Sequence, residues 1–369
     1  MKNLVIICSC VTTSSGVHGG VSTLINEISD NIEGHGVDLQ IIALHGISPV
    51  NDTNNVTVLQ SWEHQSDWNK FIKFIYWIKT SFLLLVHLIQ GYRHYRQTPI
   101  ISTSPGPSCI LPFLFNKVFI WENVAFFGKR NSIDSLRLRL FSVFRSTIIV
   151  PTESEKEYLN TLFPKLLVVH LRNWVSPKVL RKLDTFVLSS TNEFRLLAAG
   201  MLHERKGFDL LLEALSRVDS PIRKRIKVDI YGEGSERENL EGLIDDLSLT
   251  SQVSLKGFSE NLYASYRYYD CFVLPSRFEG FPLVMLNALY AGLPVIAFDC
   301  PTGPGAIINS DNGFLIENGN VQEMAKAFEK IIKTQDHVTF RKACPESVSN
   351  FRLDNSITTL LDIVFHCKS

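Results

Sequence analysis

The stretch that decides the fold class is "CFVLPSRFEGFPLVMLNALYAGLPVIAF", Cys271–Phe298. It begins with a short apolar run, passes through a turn bounded by Pro and Gly, and enters a helical stretch that contains no charge. A second apolar run, "LPVIAF", follows. Continuous Val, Ile and Leu runs separated by helical stretches are typical of parallel strands covered on both faces of their sheet. The stretch therefore predicts a strand, a helix and a second parallel strand.

The same alternation extends over most of the chain. Further strand candidates are "FRLLAAG", "KVDIYG" and "VSLKG" in the C-terminal half, and "NLVIIC", "DLQIIAL", "VTVL", "PIIST", "KVFIW" and "STIIV" in the N-terminal half. The rhythm stops between Leu171 and Phe194, where Pro, Ser and charged residues replace the apolar runs. We therefore predict an α/β protein with two tandem, doubly wound, Rossmann-like domains. The predicted segments are an N-terminal domain at 1–175, a C-terminal domain at 176–350, and a C-terminal helix at 351–369 that packs back on the N-terminal domain.

Composition excludes several classes of protein. Lys and Arg total 37, as do Asp and Glu, so no global charge indicates a nucleic-acid partner. Hydrophobic residues make up 45% of the chain, enough for large cores. The seven Cys show no CxxC spacing, which indicates reduced thiols and a cytoplasmic protein. The first apolar run fits a buried strand better than a signal peptide, because no small-residue cleavage site follows it.

The turn "MLHERKGF" after "FRLLAAG" predicts an anion site. It places Arg205 and Lys206 immediately before a helix that begins near Phe208. Cations at this end of a helix oppose its dipole, unless an anion lies between them and the free N–H groups of the first turn. Gly207 allows a close approach of such an anion. The alternative is a solvated basic turn.

Two other glycine-rich turns follow predicted strands. The first contains Gly16, Gly19 and Gly20, and the second contains Gly232 and Gly234. Neither has the G-x-G-x-x-G spacing, which argues against a dinucleotide-binding dehydrogenase. Backbone N–H groups in such turns still reach a phosphate or a sugar, although any tight strand-to-helix turn also favours Gly.

Three features together resemble a known family: "AAGMLHERKGFDLLLEAL", "FVLPSRFEGFPLVMLNALYAGLPVIAFD", and the glycine-rich first turn. They are similar to the retaining GT-B glycosyltransferases of glycosyltransferase family 4. The resemblance covers nearly the whole chain and is most specific over Ala198–Gly313. It implies a GT-B fold, in which two domains face each other across a cleft. The N-terminal domain then receives the acceptor, and the C-terminal domain binds a nucleotide-sugar.

The resemblance also implies roles for individual residues. Lys206 and Arg205 hold the donor diphosphate, Glu279 faces the donor sugar, and these three form the predicted catalytic set. Backbone N–H groups at the start of the helix after Glu279 face the diphosphate. The full predicted donor-binding set is Gly19, Gly20, Gly200, Lys206, Gly232, Phe281, Leu283, Val284 and Asn287. The acceptor-side candidates are His18, Glu122 and Asn123. No metal ligand and no cofactor is expected, which agrees with the absence of an Asp-x-Asp motif.

Three positions depart from the family pattern. Asn287 stands where relatives have the second Glu of a Glu-x7-Glu pair, which holds the ribose hydroxyls. Asn retains an acceptor oxygen but lacks the charge that strengthens such a bond. Met201 stands where many relatives have Arg, and Ala306 replaces an acid in "DCPTGPGAIIN", an element that otherwise resembles relatives using UDP-sugars. Alternatively, Asn287 is a buried amide with an ordinary structural partner.

The predicted function is transfer of a hexose or N-acetylhexosamine from a UDP-sugar to a lipid-linked or oligosaccharide acceptor, with retention. Surface polysaccharide synthesis, such as that of O-antigen, lipopolysaccharide or capsule, is the expected setting. A sugar-nucleotide-binding partner protein that is weak or inactive as a catalyst is the alternative, since it would explain all three departures. A nucleotide-sugar epimerase shares the fold, but its acid and His constellation is not found in a matching context.

The acceptor class is predicted from "WNKFIKFIYWIKTSFLLLVHLIQGYRHYR", Trp68–Arg96. Charges interrupt its apolar runs, so a spanning helix is not expected. A helix that lies in the headgroup plane and an ordinary core helix both fit. The basic and apolar segment 126–145 favours an anionic membrane surface. These segments predict peripheral attachment to the inner face of the plasma (inner) membrane.

Overall fold

The computed structural model describes residues 2–10, 20–45, 56–59, 70–122, 132–144, 146–180, 193–334 and 336–366. The chain divides into two compact units. Unit 1 comprises Met1–Arg172 together with Asp354–Ser369, and unit 2 comprises Asn173–Leu353. The division falls three residues before the boundary that we predicted from the sequence.

Unit 1 is an α/β unit with a parallel sheet. Its strands are β1 (Lys2–Cys10), β2 (Val37–His45), β3 (Val56–Val58), β4 (Ile100–Ser102), β5 (Val118–Trp121), β6 (Thr147–Val150) and β7 (Leu167–His170). Its helices before the division are α1 (Gly20–Asn31), α2 (Lys70–Gln90), α3 (Tyr92–Tyr95), α4 (Pro105–Leu114), α5 (Ser132–Val143) and α6 (Glu153–Leu162). In the described part of the chain, the seven strands are ordered β3-β2-β1-β4-β5-β6-β7, and each neighbouring pair is parallel.

Unit 2 repeats this architecture. Its strands are β8 (Phe194–Ala199), β9 (Ile226–Tyr231), β10 (Val253–Gly257), β11 (Cys271–Leu274), β12 (Val295–Asp299) and β13 (Gly313–Glu317). Its helices are α7 (Pro177–Leu180), α8 (Phe208–Ser216), α9 (Ser220–Arg223), α10 (Arg237–Asp246), α11 (Leu262–Ser265), α12 (Leu283–Tyr290), α13 (Val321–Thr334) and α14 (Asp336–Ser347). The strand order is β10-β9-β8-β11-β12-β13, again parallel. The predicted class, α/β with two Rossmann-like doubly wound sheets, is confirmed.

The strands at the middle of each sheet, such as β5 and β6 in unit 1 and β11 in unit 2, are buried on both faces. In β11 and β12 the run of Cys, Val, Ile, Phe and Leu side chains alternates between two apolar cores, one beneath α8, α10 and α13 and the other beneath α12 and α14. Burial of both faces is why these strands appear in the sequence as continuous apolar runs. Because all strands are parallel, the loops that begin at their carboxyl ends lie along one edge of each sheet.

The sequence analysis missed two strands, β7 and β13. Each lies at an edge of its sheet and pairs with one neighbour only. In β13 only Gly313 is fully buried, and in β7 only one of four side chains is fully buried. An edge strand is covered less completely than a central one. Both strands nevertheless contain short apolar runs, at 166–169 and 314–316, which the sequence analysis did not include among its candidates.

Helix α15 (Leu353–His366) follows Phe351 and is the last element in the described residues. Nearly all of it belongs to unit 1. Ser356 Oγ donates to the Arg172 carbonyl oxygen at 2.8 Å, and the Lys2 ammonium group lies 4.8 Å from the centroid of the Phe365 ring. These contacts join α15 to the beginning and the end of the N-terminal segment of the same unit.

Candidate functional site

The first part of the candidate site is the tight turn that follows β8. Glu204–Lys206 form one turn of 3-10 helix, and Gly207 then adopts a left-handed conformation, with φ +64°, at the start of α8. A Cβ atom at Gly207 would lie 2.0 Å from the carbonyl oxygen of Pro275. Only glycine therefore allows this turn to touch the loop that follows β11. The close approach fixes where the Lys206 side chain leaves the backbone.

Lys206 and Glu279 form an ion pair at this point. Lys206 Nζ donates to Glu279 Oε1 at 2.6 Å, and the two side chains are 13% and 4% exposed. Ser276 Oγ donates to the same carboxylate oxygen at 2.6 Å. Thr302 Oγ1 donates to the Glu279 carbonyl oxygen. Two residues that lie 73 positions apart in the sequence are thus brought together, and Glu279 is held through both its side chain and its backbone.

Both members of this pair retain hydrogen-bonding capacity. An ammonium group has three donors, and a carboxylate has two oxygens. Within the described residues, Lys206 Nζ donates to Glu279 alone, and Glu279 Oε2 accepts no hydrogen bond. Two donors of Lys206 are therefore available to phosphate oxygens, and one carboxylate oxygen is available to a sugar hydroxyl.

Arg277, which the sequence analysis did not single out, stabilises the same turn. Arg277 donates through both Nη atoms to Asp209, at 2.7 and 2.6 Å, and also to the Glu204 carbonyl oxygen at 2.9 Å. Its backbone N–H donates to the Arg205 carbonyl oxygen at 2.9 Å. Burial opposes ionisation of Asp209, but the two bonds from Arg277 hold the pKa of that carboxyl below its ordinary value. Arg277 therefore locks the loop that carries Glu279 onto the turn that carries Lys206.

Gly200 and Gly232, both predicted to bind the donor, lie against each other at the ends of β8 and β9. A Cβ atom at Gly232, where φ is +141°, would lie 1.8 Å from the Gly200 carbonyl oxygen. A Cβ atom at Gly200 would lie 3.3 Å from Cε of Lys206. Glycine at position 232 keeps the two strand ends in contact, and glycine at position 200 leaves room for the Lys206 side chain.

The first turn of α12 points free N–H groups away from the helix. Leu283 donates its N–H to the Phe281 carbonyl oxygen at 3.0 Å, and the amides two and three residues further on donate to the Pro282 carbonyl oxygen. Among the described residues no acceptor faces the N–H groups of Phe281 and Val284. Of the three predicted diphosphate-facing amides, two are therefore unpaired, while that of Leu283 is engaged in a local turn. Free N–H groups at a helix N-terminus favour an anion.

Asn287 stands where relatives have the second Glu, and its side chain here has a partner within the protein. Its side chain is 2% exposed, and its Oδ1 accepts a hydrogen bond from the backbone N–H of Ser176 at 2.9 Å. The acceptor oxygen that we expected to face a ribose hydroxyl thus has a protein partner within unit 2. Because Oδ1 accepts the N–H of Ser176, the Nδ2 group is the part of the Asn287 amide that remains for a ligand.

Three other positions in unit 2 are exposed. The Arg205 side chain forms no ion pair with the described residues, although its backbone groups hold the turn. Met201 is 55% exposed beside Gly200. Ala306 ends a 3-10 turn that begins at Pro304. The geometry thus places Lys206, and not Arg205, against Glu279.

In unit 1, two of the predicted residues can be located. Gly20 is the first residue of α1. Glu122 follows β5, and its Oε1 accepts from Arg137 Nη2 at 2.5 Å, with both side chains nearly buried. His18, Gly19 and Asn123 lie outside the described residues. The acceptor-side roles stay predictions.

Neither a reactive thiol nor a metal cluster accompanies the Lys206–Glu279 pair in the described part of the chain. Burial, together with the nearby Glu279 carboxylate, raises the pKa of the Cys300 thiol to about 12. That thiol is therefore neutral and is a poor nucleophile. Within the described ranges, no group of three or more His, Cys, Asp or Glu side chains could hold a metal ion. Metal independence itself stays a prediction.

Comparisons with known proteins agree with this geometry. Residues 178–347, which contain the whole Lys206–Glu279 arrangement, match the family model described as "Glycosyl transferases group 1". The crystal structure of TarM aligns with a TM-score of 0.78 and 14% identity, over 99% of both chains. A point mutant of S. aureus TarM, in complex with Fondaparinux, alpha-GlcNAc-glycerol and UDP, aligns with a TM-score of 0.77 and 14% identity, over 99% of this chain and all of that one. The fold is that of a GT-B glycosyltransferase.

Two relatives extend the comparison to sequence. The chain is 26% identical, over 327 residues and 86% of each protein, to the amylovoran biosynthesis glycosyltransferase AmsD of Erwinia amylovora. It is 29% identical to an uncharacterized glycosyltransferase of Haemophilus influenzae over 225 residues, which are 60% of this chain and 61% of that relative. The GT-B chain thus resembles glycosyltransferases both in its matched domain and along most of its length.

The Asn287–Ser176 bond gives a prediction about stability. Asn287→Ala leaves the buried Ser176 N–H without an acceptor, and we expect the free energy of unfolding to fall by about 1–3 kcal/mol. Chemical denaturation of the variant, compared with Asn239→Ala on the exposed face of α10, checks this result. A change no larger than that of the Asn239 variant would show that the amide has no structural role.

Proposed function

We propose that this GT-B chain transfers a hexosyl or N-acetylhexosaminyl unit from a UDP-sugar to a hydroxyl of a saccharide acceptor, with retention at the anomeric carbon. The observation that carries the proposal is the Lys206–Glu279 pair, with its unused donors and acceptor. It is accompanied in the same unit by the unpaired N–H groups that begin α12. The cationic donors of Lys206 suit the diphosphate of a nucleotide-sugar, and the carboxylate of Glu279 suits the hydroxyls of its sugar.

Lys206 is proposed to stabilise the leaving group. As the bond between the anomeric carbon and the phosphate oxygen breaks, negative charge grows on the diphosphate, and the two free donors of Lys206 meet that charge. The Phe281 and Val284 N–H groups add to the same field. The Glu279 partner keeps the ammonium group oriented before the donor arrives, so little reorganisation is needed during the reaction.

The proposed transfer needs no nucleophile from the enzyme. The acceptor oxygen forms a bond to the anomeric carbon on the face from which the diphosphate leaves. The acceptor proton passes to the departing phosphate oxygen, so UDP leaves with that proton. Glu279 holds a sugar hydroxyl through its free oxygen and does not attack the anomeric carbon. In the part of the chain that the structure describes, Glu279 is the one carboxylate bonded to Lys206. This is consistent with the proposed course, whereas a paired-carboxylate mechanism would need a second carboxylate nearby.

Support for UDP as the nucleotide comes from two sources. The segment "DCPTGPG" resembles an element of relatives that use UDP-sugars, and the TarM mutant of similar fold was crystallised with UDP. The AmsD relative is named for amylovoran biosynthesis. We therefore propose surface polysaccharide synthesis as the setting, with a lipid-linked or oligosaccharide acceptor, no metal and no other cofactor.

A sugar-nucleotide-binding partner protein with weak or no catalysis is the second candidate. The bond between Asn287 and Ser176 favours it, because the position that holds ribose hydroxyls in related enzymes here serves a protein N–H. The exposed Met201 and Ala306 also remove charges that such enzymes use. Such a protein would bind UDP but would form no product with any acceptor.

Calorimetric titration with UDP, GDP, ADP and NAD tests the proposal. We expect UDP to bind and Lys206→Ala to weaken that binding by about 10- to 100-fold, because a charge-assisted contact to phosphate is removed. Product formation from UDP-sugars on saccharide primers then separates the enzyme from the partner protein. Binding of GDP alone would indicate a GDP-sugar as the donor. If the folded protein bound none of the four nucleotides, both candidate functions would be overturned.

A further inference from the structure

Unit 1 carries a surface that the proposed function does not use. Three of its helices, α2, α4 and α5, pack on the same apolar core and expose large apolar side chains on their outer sides. Val143 is 73% exposed, Phe82 is 63%, Ile89 is 60% and Phe113 is 58%. Tyr92 and Ile110 are exposed as well. We call these six side chains the apolar surface.

The helices that carry the apolar surface are linked by aromatic contacts near their ends. Phe82 and Ile89 are seven residues apart on α2 and so lie on one side of that helix. The Tyr92 ring contacts Phe115, with ring centroids 6.0 Å apart, and the Phe113 ring contacts Phe144, with centroids 4.1 Å apart. These contacts link α3 to the end of α4, and the end of α4 to the end of α5.

Most of the apolar surface lies away from the edge at which ligands are expected. Helices α4 and α5 each begin after one parallel strand ends and finish before the next begins, so their C-terminal ends lie at the amino edge of the sheet. Phe113 and Val143 are in the last turns of these helices, and Tyr92 shortly precedes β4. A molecule bound here would leave the carboxyl edge of this sheet uncovered.

Charge in this part of the chain is of one sign. The segment from 70 to 121 contains six Lys or Arg residues and no Asp or Glu, whereas the whole chain has 37 of each kind. The cations of this segment whose side chains are exposed in the structure are Lys79, Arg93, Arg96 and Lys117, and Arg139 on α5 is exposed as well. Cations near helix C-termini also complement the helix dipole, but that role does not explain the exposed apolar side chains between them.

We propose that the apolar surface, with its surrounding cations, binds an anionic lipid bilayer. Exposed aromatic and aliphatic side chains enter the headgroup region, and Lys and Arg meet lipid phosphates. The proposed attachment is peripheral. None of the helices in the described ranges is long and apolar enough to cross a bilayer. The inference goes beyond the proposed transferase activity and does not depend on it, because the Lys206–Glu279 site lies in the other unit.

Vesicle co-sedimentation of the full-length protein tests the inference. We expect binding to vesicles of phosphatidylglycerol and phosphatidylcholine in equal parts, little binding to phosphatidylcholine alone, and loss of binding at high salt. Each removed cation should lower the apparent affinity about fivefold, so Arg93→Gln with Arg96→Gln lowers it about 25-fold. Phe113→Ser with Val143→Ser should weaken binding at every salt concentration.

Matched controls keep folding and nucleotide binding separate from lipid binding. Lys224→Gln with Val338→Ser removes one exposed cation and one exposed apolar side chain from unit 2 and should leave vesicle binding unchanged. All variants should keep the wild-type Tm and UDP affinity. Equal binding to both kinds of vesicle, or none at low salt, would overturn the inference. A dimer in solution that Phe113→Ser and Val143→Ser dissociate would assign the surface to a second copy of the chain instead.

Discussion

Lys206→Ala is expected to lower kcat by about a thousandfold, because the charge that grows on the departing diphosphate loses its cationic donor. KM should change less, since the effect is greatest in the transition state. The measurement is product formation from a UDP-sugar at saturating donor. Removing Lys206 also leaves the buried Glu279 carboxylate without its cation, so instability of the variant adds to its loss of activity.

Two controls separate these effects. Lys206→Met combined with Glu279→Gln removes both charges, so its Tm should exceed that of Lys206→Ala while activity stays low. Arg205→Ala removes the neighbouring exposed cation, and we expect no more than about a tenfold loss, because its charge acts through solvent. A loss in Arg205→Ala as large as that in Lys206→Ala would move the diphosphate contact to Arg205. Activity in Lys206→Ala comparable to that of Asn287→Ala would contradict the assignment of Lys206.

Gly207→Ala is expected to destabilise unit 2 by about 3 kcal/mol, or roughly 10 °C in Tm. Two causes add. A Cβ atom in the left-handed region costs about 1–2 kcal/mol, and this one would also lie 2.0 Å from the Pro275 carbonyl oxygen. The turn must then move away from the loop that carries Glu279, so UDP affinity should fall as well. Calorimetric melting and UDP titration of one preparation measure both results.

Gly319→Ala isolates the first cause, the left-handed backbone, and its difference from Gly207→Ala then measures the second. Gly319 also has a left-handed backbone, with φ +78°, but no atom lies within 4 Å of the position that its Cβ would occupy. We expect a loss of about 1 kcal/mol and an unchanged UDP affinity. Equal losses of stability in the two variants would mean that the contact between Gly207 and Pro275 has no energetic role.

The sequence predicted the central strands and the order of the elements well, for a physical reason. A strand covered on both faces is mostly apolar, and a tight strand-to-helix turn often uses Gly or Pro, so both leave local signals. The edge strands β7 and β13 left only short apolar runs, which the sequence analysis did not select. The predicted helical segment from Trp68 to Arg96 proved to contain two helices, α2 and α3, that are separated at Gly91.

By itself the sequence determined the α/β class and the two-fold repetition of the architecture, because both depend on the alternation of apolar runs along the chain. It also predicted Lys206 and Gly207 from the charges before a helix, and Glu279 from the resemblance to a known family. Only the tertiary structure decided which of these residues meet. The pairing of Lys206 with Glu279, the brace from Arg277 to Asp209, and the bond from Ser176 to Asn287 join positions 73, 68 and 111 residues apart. Contacts of this kind depend on how the strands are ordered in a sheet. They could not be predicted from the sequence because the local sequence does not indicate that order. The role of an amide such as Asn287 is therefore set by the group that folding places beside it.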